Sequence, residues 1–565
     1  MPQAAGQGQD PGRTGPTRRA AAPERRAFLR FAAAAGGATL LSSCTGSGSP
    51  NTTGGNAAGT TTTGAANGAT HGAAPSAGAS AAGGGTGFSG PAKAADWAAV
   101  ARDLAGPLVR PGEADYATAK LLFDPRFDGL HPAGIAYCAS PHDVATSLAF
   151  ARRHGIPVAA RCGGHSYAGW SSTSGLIVDV TRMAGVSVSG GTAVVGAGTR
   201  LIDFYNGLAA SGRGVPGGSC PTVGIAGLTL GGGVGVVSRA YGLTSDNVLS
   251  LEIVTADGQV RTASPSRNPD LYWACRGGGG GNFGVVTSFT FRTHPVGEII
   301  LFFLSWPWSQ ADQVIAGWQS WAPHAPDALW SNLHLAAAPG GGTPSVEVGG
   351  TYLGSVGGAY AELDKLYAAV GSEPPSPYLE STTWLHAMLV EAGCAPWTVA
   401  ECHLPTQNPA GRFMRASEYA KSDFFTRPLS SGGIGTLLSG VENLQLVAGA
   451  PGGVGGIAFD AMGGAVNRVA PGATAYVHRN ALFQAQYTTG WTPGAASAGV
   501  ANQHAWQRSF WRSMRPYASG QAYQNYIDPD LTNWRQAYYG ANYARLTRVK
   551  AAYDPDRVFT FPQAV

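Results

Sequence analysis

Two short stretches, Arg161-Cys162-Gly163-Gly164-His165-Ser166-Tyr167 and Pro216-Gly217-Gly218-Ser219-Cys220-Pro221-Thr222-Val223-Gly224, each set one nucleophilic side chain inside a glycine-rich turn. Glycine has no Cβ, so such a turn lets backbone and side chain approach a flat ligand closely. His165 and Cys220 are therefore candidates to approach such a ligand, with Arg161, Gly163, Gly164, Ser166, Val223 and Gly224 around them. A third glycine run, Gly277 to Gly281, ends in Asn282-Phe283-Gly284, which gives Gly279, Gly281 and Gly284 a G-x-G-x-x-G spacing. A dinucleotide fingerprint of that form opens a helix and is followed about twenty residues later by an acidic side chain. Here Val285 to Phe291 is strand-like, which excludes a nicotinamide-binding Rossmann turn.

Regular elements have to present these turns. Ser140 is a good N-cap with Pro141 in the first turn and Asp143 three residues on; Val144, Leu148 and Phe150 keep helical spacing, and Gly155 and Pro157 stop the helix. The pattern predicts strands at Pro157 to Arg161, Leu176 to Val180 and Ala193 to Ala197, and a helix from Leu201 to Ala210. Asp257-Gly258 joins a hairpin of Leu249 to Thr255 and Gln259 to Ala263, and Asp270 to Cys275 is a short helix. From about Gly297 to Arg515 the chain becomes richer in Trp and Tyr, with strand-like runs such as Ile299 to Leu304 and Leu444 to Gly449. That change of character predicts a second domain.

The chain resembles the berberine bridge enzyme family of bicovalent flavoenzymes. The resemblance rests on the two turns, on Asp270-Leu271-Tyr272-Trp273 with Arg276 to Gly284, and on Lys421-Ser422-Asp423. Gly463-Gly464-Ala465-Val466, His478-Arg479, Tyr523-Gln524-Asn525-Tyr526 and the tail from Tyr539 to Tyr553 extend it. It implies an α+β fold: a two-subdomain PCMH/VAO-type FAD-binding domain over residues 96–296 and a substrate domain over 297–515 with an antiparallel sheet covered by helices. A C-terminal segment over 516–565 would return to the FAD domain. It also implies FAD bonded through His165 at the 8α-methyl carbon and through Cys220 at ring carbon C6. Gly232, Gly233, Asn282 and Asn542 join the implied cofactor contacts, and the glycine runs would turn N–H groups toward the pyrophosphate and ring edge.

Oxidising an alcohol by hydride transfer to flavin N5 requires a base for the hydroxyl proton. Tyr526 matches the family's catalytic tyrosine, which a nearby positive charge usually activates, because a free phenol titrates near 10. Tyr523, three residues away, faces the opposite side if the segment is a strand. Gln484 and Asp460 match further active-site positions, and valine at Val223 is the family's mark of oxygen access, favouring an oxidase that yields hydrogen peroxide. For the substrate, Trp306, Trp308, Trp318, Trp321, Trp330 and Trp384 offer flat faces to a carbohydrate or oligosaccharide. The alternatives are an oxidase of aromatic alcohols or alkaloids, and a surface lipoprotein that binds a ligand without turnover.

The chain of 565 residues carries a net charge of only +4 with no dense basic run, which speaks against a nucleic-acid partner. Arg25-Arg26-Ala27-Phe28-Leu29-Arg30 looks like a twin-arginine export motif, although Glu24 stands where Ser or Thr usually precedes it. Leu41-Ser42-Ser43-Cys44 looks like a lipobox with Cys44 to be lipidated, so residues 1–44 read as a signal and 45–95 as a flexible Gly, Ala, Ser and Thr tether. Location outside the cytoplasm, with membrane contact only through that lipid, follows as an expectation. Of seven cysteines, Cys394 and Cys402 are the best disulfide pair in an exported chain. A zinc site with His403 lacks a second ligand pair, so no metal is expected.

Overall fold

The computed structural model describes residues 90–338, 342–446, 454–492 and 494–565. The expected signal, Cys44 and most of the tether lie outside the described residues. Helix Ala94–Asp103 starts just before the tether boundary set at residue 95 and buries Trp97 and Val100, while His154 Nδ1 lies 2.9 Å from the Gly90 carbonyl.

The helix expected after Ser140 spans Pro141–His154; Ser140 Oγ accepts from the Asp143 N–H, and Gly155 closes it at φ +62°. It connects strands Gly134–Tyr137 and Val158–Arg161, and Leu176–Asp179 lies between them, parallel to both. With Leu108–Val109 antiparallel at the edge, these make a four-stranded sheet. A second, antiparallel sheet of five strands is ordered Val186–Ser189, Thr192–Gly196, Val285–Arg292, Val248–Val254 and Val260–Ala263. The G-x-G-x-x-G loop joins helix Pro269–Ala274 to strand Val285–Arg292, as the strand pattern required.

The remaining large sheet has seven antiparallel strands in the order Tyr378–Thr383, Glu298–Trp306, Ser345–Tyr352, Leu329–Ala337, Val454–Ala461, Phe483–Trp491 and Ser417–Phe425. Period-two alternation gives it two different faces. Phe302, Leu304, Leu333, Leu335, Val346, Val348, Ile457, Phe459, Phe483 and Ala485 point back into an apolar core. Helices Ala311–Trp321, Val356–Val370, Ser431–Glu442 and Ser497–Met514 cover that side. The expected strand at Leu444 to Gly449 is not there: Asn443–Leu446 is a 3₁₀ turn continuing helix Ser431–Glu442, and the rest lies outside the described residues. Leu444 instead continues the apolar face of the helix, buried in one cluster with Leu437 and Val441.

Arg239, in helix Ser238–Tyr241, ties the first part of the chain to the large sheet. Its buried guanidinium donates to the carbonyls of Leu329 (2.9 Å), Pro323 (3.0 Å), Ala325 (2.5 Å) and Met462, and burial pulls its pKa down to about 10. Each carbonyl orphaned in the interior costs about 1–3 kcal/mol. Arg239→Met is therefore expected to cost about 3 kcal/mol or more, read as a lower urea midpoint with an unchanged slope.

Candidate active site

Arg161 and Asp179 are register partners at the carboxyl ends of two parallel strands, and Arg161 Nε donates to Asp179 Oδ2 at 2.5 Å. Ligands sit at that end of parallel strands, and both glycine turns gather there. A Cβ on Gly163 would lie 2.4 Å from the Gly224 nitrogen, and one on Gly224 only 2.0 Å from Cys162 Sγ. The two turns therefore touch backbone to backbone. His165 Nε2 lies 2.8 Å from Thr222 Oγ1, two residues beyond Cys220, and its ring stacks on Phe123 at 4.0 Å. Phe123 shares an apolar cluster with Cys220, Cys394 and Cys402; the last two form the expected disulfide. Burial, then the nearby Arg200 charge, pulls His165 down to about 3, so its imidazole is neutral at physiological pH.

These turns line one side of a cavity of about 1000 Å³. The opposite wall is the front face of the seven-stranded sheet. One cross-strand row there runs Phe303, Gly349, Asn332, Asp460, Gln484 and Phe424. The adjacent row runs Ser305, Glu347, His334, Ala458, Gln486 and Ser422. Asn332, His334, Glu347, Asp460 and Gln486 reach the cavity, and Glu391 joins them from the end of helix Trp384–Glu391.

Tyr523 and Tyr526 are not on a strand. They flank a turn closed by the Tyr526 N–H on the Tyr523 carbonyl, so their rings meet at 5.0 Å and both line the cavity. Tyr523 Oη accepts from the N–H groups of Gly233 (2.9 Å) and Val234 (3.2 Å) and from Asn525 Nδ2 (2.9 Å). Tyr523 is thereby fixed in place, and Tyr526 is the more available phenol. Burial, then Asp460, Tyr167 and Tyr523, push the Tyr526 pKa well up, and no cation contributes. Where a positive charge was expected, the nearest charge acting on Tyr526 is the Asp460 carboxyl, itself pushed up to about 7 by burial.

Arg161, Gly163, Gly164, His165, Ser166, Cys220, Val223, Gly224, Asp460, Tyr523 and Tyr526 all line the cavity. Gly232, Gly233, Asn282, Asn542 and Gln484 do not. Gly233 is engaged with Tyr523, and a Cβ on Gly232 would meet the Tyr476 ring at 2.7 Å. Asn282 Nδ2 bonds Gly278 O while its Oδ1 accepts from the Val565 N–H; Asn542 Nδ2 bonds the Pro471 and Thr474 carbonyls. Both asparagines secure the C-terminal return of the chain. Gln484 is fully buried beside Tyr526 with both polar atoms lacking a well-formed hydrogen bond. Gln486, two residues on, lines the cavity instead and donates through Nε2 to Tyr167 Oη at 2.8 Å. Of the six tryptophans read as stacking faces, only Trp330 reaches the cavity; Trp306, Trp318, Trp321 and Trp384 are core residues and Trp308 bonds Glu442.

The sequence matches the family described as "FAD binding domain" over residues 132–264 and the family described as "Berberine and berberine like" over residues 522–565. The FAD-linked oxidoreductase YgaK of Bacillus subtilis (strain 168) is 33% identical over 472 residues, covering 82% of this chain and 97% of that protein. Wild-type BBE-like 1 of Physcomitrella patens is 32% identical with a TM-score of 0.74, over 83% of this chain and 98% of that structure. A chitooligosaccharide oxidase superposes with a TM-score of 0.73 at 26% identity, over 83% and 99%. Fold and cavity define a PCMH/VAO-type FAD-dependent oxidoreductase. The chain belongs to the berberine bridge enzyme-like family of FAD-linked oxidoreductases.

The cavity wall suits that cofactor. Arg161 Nη1 is buried without a hydrogen-bond partner and can serve a phosphate; Gly163, Gly164, Gly280 and Gly281 leave backbone open beside it. Cys162, by contrast, is a poor nucleophile: its Sγ bonds the Ala197 carbonyl at 3.0 Å, and burial pushes it up to about 12. Cys138 and Cys275 are likewise pushed up to about 12, chiefly by burial. At pH 8 only about one such thiol in ten thousand is then a thiolate. Iodoacetamide is expected to leave all three unmodified in the native protein and to label them after unfolding, as read by peptide mass.

Proposed function

We propose that this protein is an FAD-linked oxidase that removes hydride from a hydroxyl-bearing carbon of a carbohydrate-like substrate, with His165 and Cys220 both bonded to the flavin. The observation that carries this reading is the meeting, on one cavity, of the two nucleophile turns with Tyr526 and Asp460. Bound FAD would supply the hydride acceptor, and dioxygen would reoxidise it to give hydrogen peroxide.

A neutral imidazole keeps the lone pair that bonding to carbon requires, and Phe123 and Thr222 hold the His165 ring in one orientation. Tyr526 takes the substrate hydroxyl proton while its own proton moves toward Asp460, so that no free phenolate has to form first. Tyr523 and the Tyr167–Gln486 pair brace the Tyr526 ring; the rings of Tyr167 and Tyr526 lie 5.8 Å apart, edge to face. Val223 lines the same cavity, consistent with oxygen access.

Support for a carbohydrate comes from the polar sheet face, rich in groups that bond hydroxyls, and from the chitooligosaccharide oxidase relative. A second reading, oxidation of aromatic alcohols, is favoured by Phe303, Trp330 and Trp397 on the cavity wall. A peroxide assay over sugars and aromatic alcohols separates the two, and failure of every donor to bleach the flavin would return the chain to a binding role. Export by the twin-arginine route, with lipid on Cys44, suits a protein whose covalent cofactor is installed before crossing. Mass analysis of the mature N-terminus tests it.

Acid-denatured wild type is expected to keep its yellow colour through gel filtration, as are the single variants His165→Ala and Cys220→Ala, whereas the double variant loses it. Tyr526→Phe is expected to lower kcat about a hundredfold to ten-thousandfold while the flavin stays bound. Because Asp460 accepts the proton only as a carboxylate, kcat should rise with pH through about 7. Asp460→Asn should be slow at all pH values and lack that rising limb.

A further inference from the structure

We infer that the segment 394–416 is a strap over the cavity beside His165 and Cys220, and that the Cys394–Cys402 bond is its lock: FAD enters past the strap while both cysteines are thiols and is enclosed once they are linked. The FAD part rests on the family membership above and holds for any substrate. Between helix Trp384–Glu391 and strand Ser417–Phe425 the segment forms no helix or strand, and long loops of that kind in compact domains are usually functional or disordered. This one is ordered by its side chains. Cys394, Cys402, Leu404 and Phe413 are buried with Phe123, Ile202 and Cys220 in a small apolar cluster apart from the two large cores. Gly393, Ala395 and Trp397, where the strap begins, line the cavity together with Cys220 and Val223. Phe123 stacks on Phe413 of the strap at 6.4 Å and on His165 at 4.0 Å. A ring to be bonded at His165 and Cys220 has to come against this wall.

The fastenings of the strap decide how it opens. His403 Nε2 lies 3.1 Å from Asp203 Oδ2 on helix Leu201–Ala209, and Arg415 donates to the Leu122 carbonyl at 2.8 Å and pairs with Asp128. Asp203 and Asp128 keep 42% and 41% of their side-chain surface in water, where an ion pair contributes little. The disulfide is the strong fastening. It ties Cys402 back to the end of helix Trp384–Glu391, with the two Cα atoms 5.6 Å apart, and so holds the adjoining His403 in front of Asp203. Without it, the closure entropy of the whole loop falls on one small apolar cluster and two exposed ion pairs. Linking the cysteines removes two electrons and two protons from the pair of thiols; a disulfide oxidant such as oxidised glutathione takes them up and leaves as two thiols. Once linked, both sulfurs belong to fully buried residues, so a reductant reaches them only after the strap has lifted.

The test uses FAD-loaded His165→Ala/Cys220→Ala protein, in which neither proposed bond to the flavin can form, with and without the further pair Cys394→Ala/Cys402→Ala. Release of FAD and its rebinding are followed by flavin absorbance. Without the disulfide both rates are expected to rise about tenfold or more, because an opened strap eases passage in each direction. A merely weakened site would speed release alone. As a second measurement, Cys394→Ala/Cys402→Ala in otherwise wild-type holoenzyme should exchange amide hydrogens faster over 394–416, with strands Leu176–Asp179 and Leu329–Ala337 unchanged. Equal FAD rates with and without the disulfide, or faster release with unchanged rebinding, overturns the inference. So does exchange that rises throughout the protein or stays unchanged in the strap, and this comparison decides alone if the quadruple variant fails to hold FAD. No substrate enters either measurement, so failure of the oxidase reading leaves both intact. Loss of FAD from denatured wild type would sink the double attachment and leave the strap standing.

Discussion

The contact between Gly163 and Gly224 is the constraint on which the site depends. At 2.4 Å from a hypothetical Cβ to a backbone nitrogen, no side chain of any kind fits between the turns. Only because both positions are glycine can the loop after a parallel strand and the loop before helix Ile225–Leu230 press together. That closeness puts Thr222 within hydrogen-bond reach of His165 and places Cys220 in the apolar cluster under the stacked Phe123. Backbone packing thus brings His165 and Cys220 to the wall of the same cavity.

The other half of the cavity depends on a different regularity. Alternation along the seven antiparallel strands sends one set of side chains into the helix-covered core and leaves Asn332, His334, Glu347, Asp460 and Gln486 on the cavity side. Gly349 matters in this arrangement, since a Cβ there would lie 2.7 Å from Asn332 Oδ1. The hydrophobic side stabilises the sheet in the ordinary way. The polar side is expensive, because its carboxyls sit away from bulk water and are pushed toward their neutral forms. Such cost is expected where a site is built for chemistry rather than for stability.

Much of this was legible in the residues themselves. Caps and stops located helix Pro141–His154 closely, and the strand after the glycine run correctly excluded a Rossmann turn. The two glycine turns and the Tyr526 region, far apart in the chain, line one cavity. Other glycines and amides lie off the cavity: Gly233 holds Tyr523, Gly232 packs against Tyr476, and Asn282 and Asn542 bond backbone at the C-terminal return. Gln484 and Gln486 have the same strand parity, so period-two reading could not choose between them. Asn332 and His334 carried a usable signal, being polar residues at alternate positions of an apolar strand. Glu391 carried none, because a glutamate at the end of a helix is ordinarily solvated.

The cavity wall also draws on the far end of the chain: Phe559, Thr560, Phe561 and Pro562 line it together with Phe123 and Arg161, and Lys550 bonds the Asn282 carbonyl. Segments separated by several hundred residues thus close one chamber. Long-range closure of this kind is slow, since loop entropy is lost before contacts reward it. During synthesis the early sheets can form while the chamber still lacks a wall. The chamber has its full wall only once residues 559–562 have docked beside Phe123 and Arg161.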